Sequence, residues 1–517
     1  MTLDPRTPIV VGVGQAAERI DDPDYRAMSP VELASGAARA ALLDSRADVD
    51  AVAAAVDTVA GIRQFEISGP IATAVLGRSN NYPRSVANRL GAQPTRAILE
   101  VVGGQGPQHL ISELAAGIAA GGSDVALVFG SDATSTLRHF SAPARDAGDK
   151  PDFTETVDGD LEDRGTGIEK FISRYTVSHG LTSAPIQYAL LENARRAETG
   201  LGPAEYRRRM GELFAPFTKV AARNPFAASP VERSVDELIT VTDENRMIAE
   251  PYPRLLVARD QVNQGAAALL MSVQAAQRLG VPEDNWVFLH GRADLEEQDL
   301  LLRPDLGHAP SAVMAVRAAL EMAGISIDDI AAFDLYSCFP VPVFNICDGL
   351  GISPDDPRGL TLTGGLPFFG GAGNNYSMHA IAEAVAHARS APGTFGLVGA
   401  NGGIMSKYSV GVYSTIPAPW KPDRSAELQA QVGTWATQPV TEKADGTGTV
   451  ETYTVRRDRG RATGIVIGRL DDDSRFLSTT EDEESIALLT DGDPLGGPVR
   501  VRSFDDGSNR GNRCTLA

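Results

Sequence analysis

The chain has 517 residues, 43% of them hydrophobic and 22% charged, with a formal net charge of −20. That balance builds large apolar cores and excludes nucleic acid or an anionic membrane surface as the main partner, because both repel an acidic protein at long range. Three cysteines, Cys338, Cys347 and Cys514, are too few for a disulfide framework or a Cys-rich zinc site, so no metal is expected and the reducing cytoplasm is the expected compartment.

In chain order, the first stretch alternates strand and helix signals. Residues 8–12 form an apolar run closed by glycine. Ser29-Pro30-Val31-Glu32 supplies an N-cap serine, a proline at the first helical position and a glutamate three residues after the cap, predicting a helix through about Asp44. Residues 97–102 read as a strand, 108–120 as a helix and 124–130 as a buried strand. Alternation at this spacing implies a sheet layered between helices.

From about 135 to 255 charged segments such as 145–150, 158–164 and Arg207-Arg208-Arg209 alternate with amphipathic stretches, which reads as an insertion over one end of the sheet. Alternation resumes with strands at 265–271, 286–290 and 329–335, helices at 311–323 and 377–389, and strands at 395–398 and 408–413. This second block repeats the layout of the first without residue-level repetition. After Pro417-Ala-Pro419, strand signals at 449–455, 462–467, 485–489 and 498–502 are separated by Gly and Asp turns. They predict a small antiparallel β-barrel of the oligonucleotide-binding type, used for protein contact. The expected division is therefore 1–134, an inserted 135–255, 256–418, and a barrel at 419–517. No apolar run approaches the ~20 residues that span a bilayer, and the opening MTLDPRTPIVVGVG lacks a basic segment followed by a cleavable apolar one, so no membrane insertion is expected.

Three glycine-rich turns stand where an α/β enzyme puts its chemistry: Val101-Val102-Gly103-Gly104-Gln105-Gly106, Gly364-Gly365 through Gly370-Gly371, and Gly399-Ala400-Asn401-Gly402-Gly403. None contains Cys or His. Glycines at strand-to-helix turns let a ligand approach the backbone and leave N–H groups pointing at it, or serve tight packing alone. In either case they bring no nucleophile.

Two α/β halves around an insertion resemble the thiolase superfamily, in particular its sterol-carrier-protein-2-type branch, over about residues 5–415. The segments carrying the resemblance are 117–132 (GIAAGGSDVALVFGSD), 263–268 (NQGAAA) and 327–339 (IDDIAAFDLYSCF). The resemblance implies an α/β fold layered α-β-α-β-α, with acyltransferase (acetyl-CoA acetyltransferase-like) ancestry, and it places the family's nucleophilic Cys at Gly103, the His of the Gly-His-Pro motif at Gly371 and the acid/base Cys at Ala400. All three reactive groups are then missing. Cys-dependent thiolysis and Claisen condensation are expected to be absent, while a coenzyme A thioester remains the implied ligand, with no further cofactor required.

Some chemistry remains in the residues. Tyr336 occupies the motif-His position of Tyr336-Ser337-Cys338-Phe339 and either donates to a substrate carbonyl, as in the retro-aldol lyases related to the family, or packs at the pocket floor. Cys338 matches the motif Cys, although a buried free thiol defaults to a small hydrophobe. In Asn374-Asn375-Tyr376-Ser377-Met378-His379 the Asn and Ser residues are good helix caps, and Tyr376 or His379 is a candidate displaced acid or base. Glu100 is a candidate base or an interface group. Arg207, Arg208, Arg209, Lys219 and Arg223 are the densest basic set in the insertion, either a coenzyme A phosphate patch or a solvated face. Related thiolases dimerise through the strand before the nucleophile turn, here about 97–102; monomer and homodimer stay open, as does a noncatalytic, partner-binding role.

Overall fold

The computed structural model describes residues 3–516 except 70–73, 142–149, 169–172, 459 and 508–509; most of the charged segment at 145–150 thus lies outside the described residues. Six strands form one sheet in the order Pro8–Glu18, Asn263–Ser272, Val125–Ala133, Thr58–Gly61, Arg96–Leu99 and Glu162–Asp163. Four form a second, ordered Ile330–Leu335, Phe395–Gly402, Lys407–Ser414 and Phe288–Glu296. A bridge between Val10 and Val287 links the two.

The helices Gly106–Ala119 and Tyr376–Ser390 lie between the sheets. Their apolar faces, including Leu110, Ile111, Leu114, Met378, Ile381 and Val385, share one core with strand residues of both sheets. The helices Pro30–Asp44 and Tyr82–Leu90 cover the outer face of the first sheet, and Pro310–Ala323, Pro340–Leu350 and the inserted helices cover that of the second. The five layers expected from the sequence are therefore present. Ser29 accepts from the Glu32 N–H while Glu32 caps the Ser29 N–H, so the predicted capping box forms. The alanine-rich face of this helix lies so close to the first strand that a Cβ at Gly14 would overlap the Ala37 carbonyl.

The insertion contributes to both neighbours. Its Glu162–Asp163 segment pairs in parallel with Ile98 and Leu99, covering the edge strand of the first sheet. Ala249 pairs with Arg456, which attaches Met247–Ala249 and Tyr252–Pro253 to the C-terminal sheet. There Gly446–Asp458, Arg461–Leu470, Arg475–Thr480, Arg510–Leu516 and Pro498–Asp505 close on themselves as a five-stranded barrel, antiparallel except for the pairing of Thr479 with Arg513. The strand expected at 485–489 is instead part of the helix Glu483–Asp491. The Asp482 carboxylate caps Ser485 N–H, and Glu483 and Glu484 sit in the first turn, where the helix dipole favours negative charge.

Candidate functional site

Two of the glycine turns meet face to face. The turn after Arg96–Leu99 lies against the end of Phe395–Gly402, so that a Cβ at Gly402 would approach Gly103 Cα to 3.2 Å. The third turn reaches them through Asn374, whose Oδ1 accepts the Gly103 N–H at 3.0 Å while its Nδ2 donates to Arg63 O and Ser68 Oγ, both at 2.8 Å. Asn374 is therefore no helix cap, and Asn375, at the cap position, makes no side-chain capping bond. The Gly103 N–H, an obvious donor to a ligand oxyanion, is already committed.

Gly103 has φ +141°, a region that L side chains rarely enter. A Cβ there would overlap Gln105 Oε1, and so would one at Gly402. The Gln105 carbonyl oxygen is thus wedged between the two turns, buried and without a hydrogen-bond partner among the described residues. Leaving such an acceptor unsatisfied costs roughly 1–3 kcal/mol, which the surrounding fold must offset. Of the other two positions named from the resemblance, Ala400 is fully buried and pairs with Ser409 on the neighbouring strand, and the Gly371 N–H donates to Arg259 O at 2.7 Å.

Tyr336 leans over this junction. Its hydroxyl is so close to Gly104 that a Cβ at that residue would overlap it. The hydroxyl makes no hydrogen bond among the described residues, and burial raises its pKa far above the usual phenol, so it is a neutral O–H with donor capacity to spare. Its ring meets the edge of Tyr376 at 5.4 Å. The Tyr376 hydroxyl itself is committed, bonding Asp334 Oδ1 at 3.2 Å and Thr363 Oγ1 at 2.5 Å. Burial pushes the Cys338 thiol up to about 12, so it is protonated near neutral pH and is no nucleophile as it stands.

From the insertion, the helix Ala184–Thr199 delivers Tyr188, whose hydroxyl donates to Gly403 O at 3.0 Å and accepts from Asn401 Nδ2 at 2.8 Å. The Tyr188 ring stacks on Phe339 at 4.4 Å. One helical turn later, Glu192 is buried and accepts from Tyr206 and Tyr252, both at 2.6 Å, and from Val341 N at 2.8 Å. These bonds fix the insertion to the segment that carries Tyr336 and Cys338.

His379 lies elsewhere. It is 0% exposed, with Nδ1 2.7 Å from Gln15 Oε1 on the first strand and its ring 5.0 Å from Phe369. Burial lowers its pKa from 6.5 to about 3. The folded state therefore binds this proton less readily than the unfolded chain, so the stability it contributes is full above pH 6.5 and is lost as the pH falls towards 3. At pH 4.5 the loss is expected to be about 3 kcal/mol. Urea titrations at pH 7 and 4.5 check this: His379→Gln should narrow the stability difference between the two pH values by that amount, and an unchanged difference would contradict it.

Glu100 is buried against Arg164 at 2.7 Å, and Arg164 also holds Glu113 at 2.7 Å. Glu100, His109 and Glu113 bring ligand-type atoms together, but this arginine already supplies the cation there. Burial lowers the His109 pKa, yet Asp294, Glu100 and Glu113 outweigh it and hold the ring at about 9. Glu198, Asp305 and His308 form a second such group, of which His308 lines a cleft of about 470 Å³ together with Val313, Leu428 and Trp435, outside the turn cluster.

The basic set is largely neutralised by acids: Arg207 pairs with Glu250 at 2.5 Å, Arg208 with Asp236 at 3.0 Å, Arg209 with Glu212 at 3.5 Å and Lys219 with Glu232 at 3.7 Å. Arg223 is exposed. Sequence reasoning gave no junction role to Gln105, Asn401 and Tyr188, and it read Asn374, which also shapes the junction, as a helix cap. Gln105 carried a signal, being the one residue of Gly103–Gly106 with a side chain.

The solved structure of a monomeric SCP2-thiolase-like protein type 1 from Mycobacterium smegmatis matches all of this chain and all of its own at 56% identity and TM-score 0.85. An Ltp2-ChsH2(DUF35) aldolase shares the fold at 19% identity over 79% of this chain and 98% of its own, TM-score 0.57. An acetyl-CoA acetyltransferase from Syntrophomonas wolfei does so at 14% identity over 79% and 99%, TM-score 0.55. A family model described as the thiolase-like protein type 1 additional C-terminal domain matches residues 427–507, and no curated protein matches the chain. With more than half of its residues identical over its full length to a member, the chain belongs to the SCP2-thiolase-like protein type 1 family.

Proposed function

We propose that this chain is a noncatalytic binding member of the thiolase superfamily, with acyl-CoA thioesters as its ligand class and no covalent acyl transfer. The observation that carries the reading is Gln105, whose side-chain carbonyl oxygen lies where the first side-chain atom of any residue replacing Gly103 or Gly402 would have to sit. The ligand class rests on the fold shared with the acetyl-CoA acetyltransferase. Calorimetric titration with acetyl-CoA tests it. Wild type should bind weakly without releasing free coenzyme A, and Gln105→Gly should bind at least about tenfold more tightly, a gain of about 1.4 kcal/mol. Thiolytic turnover by wild type, or equal affinities, would contradict the proposal.

A second reading, retro-aldol cleavage of an acyl-CoA, is favoured by the Tyr336 hydroxyl beside Gly104, which has no hydrogen-bond partner among the described residues; the aldolase sharing this fold fits that reading at a distance. Removing a positioned acid typically costs 10²- to 10⁴-fold in rate. If wild type cleaves a β-hydroxyacyl-CoA, Tyr336→Phe should lose at least about a hundredfold in kcat; equal rates would remove Tyr336 from the reaction.

The chain is further proposed to be a monomer, because its own Glu162–Asp163 segment covers the edge strand at Ile98 and Leu99. Light scattering after gel filtration should give the mass of one chain, and a dimer mass would overturn this.

A further inference from the structure

Asp132, near the end of Val125–Ala133, is 3% exposed. Its Oδ1 accepts the Phe65 N–H at 3.2 Å, while its Oδ2 is bonded to no group among the described residues. With Glu66 it lines a cavity of about 70 Å³ walled by Leu76, Leu137 and Phe153, and Phe65, 55% exposed, connects that wall to solvent. The charges that bear on Asp132 are those of Glu66 and Asp260, both acidic. Near Glu66 stands Arg78, and Arg138 is taken up by Asp260 at 2.6 Å. Among the described residues no Lys or Arg forms an ion pair with Asp132 or Glu66.

A buried carboxyl in this setting must be protonated or matched by a cation from outside the chain. The walls decide which cation. An ammonium has three N–H donors for Asp132 Oδ2 and Glu66, its carbon chain suits Leu76 and Leu137, and Phe65 and Phe153 add aromatic rings to the same lining. A hydrated metal ion would leave the apolar walls unused, and an anionic ligand would face the two acidic groups Asp132 and Glu66. The space admits only a few heavy atoms. We infer that this cavity is a binding site for a short primary alkylamine, held in its ammonium form by Asp132 and Glu66.

The site is separate from the Gly103 junction but touches its supports. A Cβ at Gly373 would overlap Asp132 Oδ2, and Phe65 lies two residues from Arg63, whose carbonyl holds Asn374. Occupancy therefore braces the loop that fixes the Gly103 N–H. Burial pushes the Asp132 carboxyl well above the usual carboxylate range, and where the carboxyl carries its proton, ammonium binding displaces that proton to solvent. The inference is independent of the proposed function.

The test is calorimetry of the full chain with propylammonium chloride near neutral pH, in two buffers of different ionisation enthalpy. Expected are saturable one-to-one binding and a buffer-dependent heat reporting proton release, with no saturable heat from propanol or sodium chloride. Asp132→Asn removes an unpaired buried carboxyl and should fold normally by circular dichroism while losing at least about tenfold in affinity. Glu66→Gln, partly exposed, gives the second variant, with a loss of at least about threefold. Absence of saturable binding by wild type up to about 10 mM, equal binding of propanol, or unchanged affinity in both variants would overturn the proposal.

Discussion

Gly103→Cys is expected to destabilise the chain by roughly 2–4 kcal/mol and to give no thiolase activity. Two independent costs add. A side chain at φ +141° is strained whatever surrounds it, and the new Cβ would overlap Gln105 Oε1, forcing that amide out of a packed junction. The second cost can be relieved and the first cannot. Gly103→Cys combined with Gln105→Ser should recover about 1–2 kcal/mol of the loss, seen as a non-additive double-mutant cycle in urea unfolding. A loss below about 0.5 kcal/mol for Gly103→Cys alone would mean the turn is not held as described.

The second large effect is expected at Arg475, which is 0% exposed and fastens the barrel to the second α/β half. Its Nη2 and Nε donate to the Glu451 carboxylate at 2.6 and 2.8 Å, and its Nη1 donates to Leu301 O at 2.7 Å and Arg303 O at 2.5 Å. Arg475→Ala leaves that carboxylate with Arg469 alone, at 3.0 Å, and strands the carbonyls, so a loss of about 3–5 kcal/mol is expected. Arg475→Lys should recover only part, because an ammonium cannot reproduce the planar fork of donors. Arg475→Met paired with Glu451→Gln should cost less than Arg475→Ala, because no buried carboxylate is then left short of a partner, while Arg469 keeps Asp473 at 2.9 Å. Denaturant unfolding with limited proteolysis of the barrel checks these outcomes; equal stability of Arg475→Ala and wild type would contradict them.

The sequence was most legible where the determinants are local. Ser29 and Glu32 are three residues apart, and their capping box forms as read. The helix Glu483–Asp491 was misread as a strand because its short apolar run outweighed the Asp482 cap and the acidic first turn that define it. The strand Glu162–Asp163 has no apolar signal. It is held by Arg164 and Arg96, which bond Glu162 at 2.8 Å each, partners that only the fold brings together.

The site follows the same division. The three glycine turns were legible as turns, since each is contiguous in the sequence. Where the Gln105 side chain goes depends on Gly402, almost three hundred residues away, and no periodicity reports that. For His379, helical spacing allowed pocket or core, and Gln15 on the first strand supplies the partner that settles it for the core. The paired acids that neutralise most of the Arg207 to Lys219 set were visible as residues but not as neighbours.

Intact-protein mass spectrometry after rapid mixing with excess acetyl-CoA tests the central claim most directly. The seating of Gln105 between Gly103 and Gly402, together with the protonated Cys338 thiol, predicts no acetyl adduct on the chain and no free coenzyme A at any time. An acetyl group accumulating on Cys338 or any other side chain within a turnover, with matching release of coenzyme A, would contradict it.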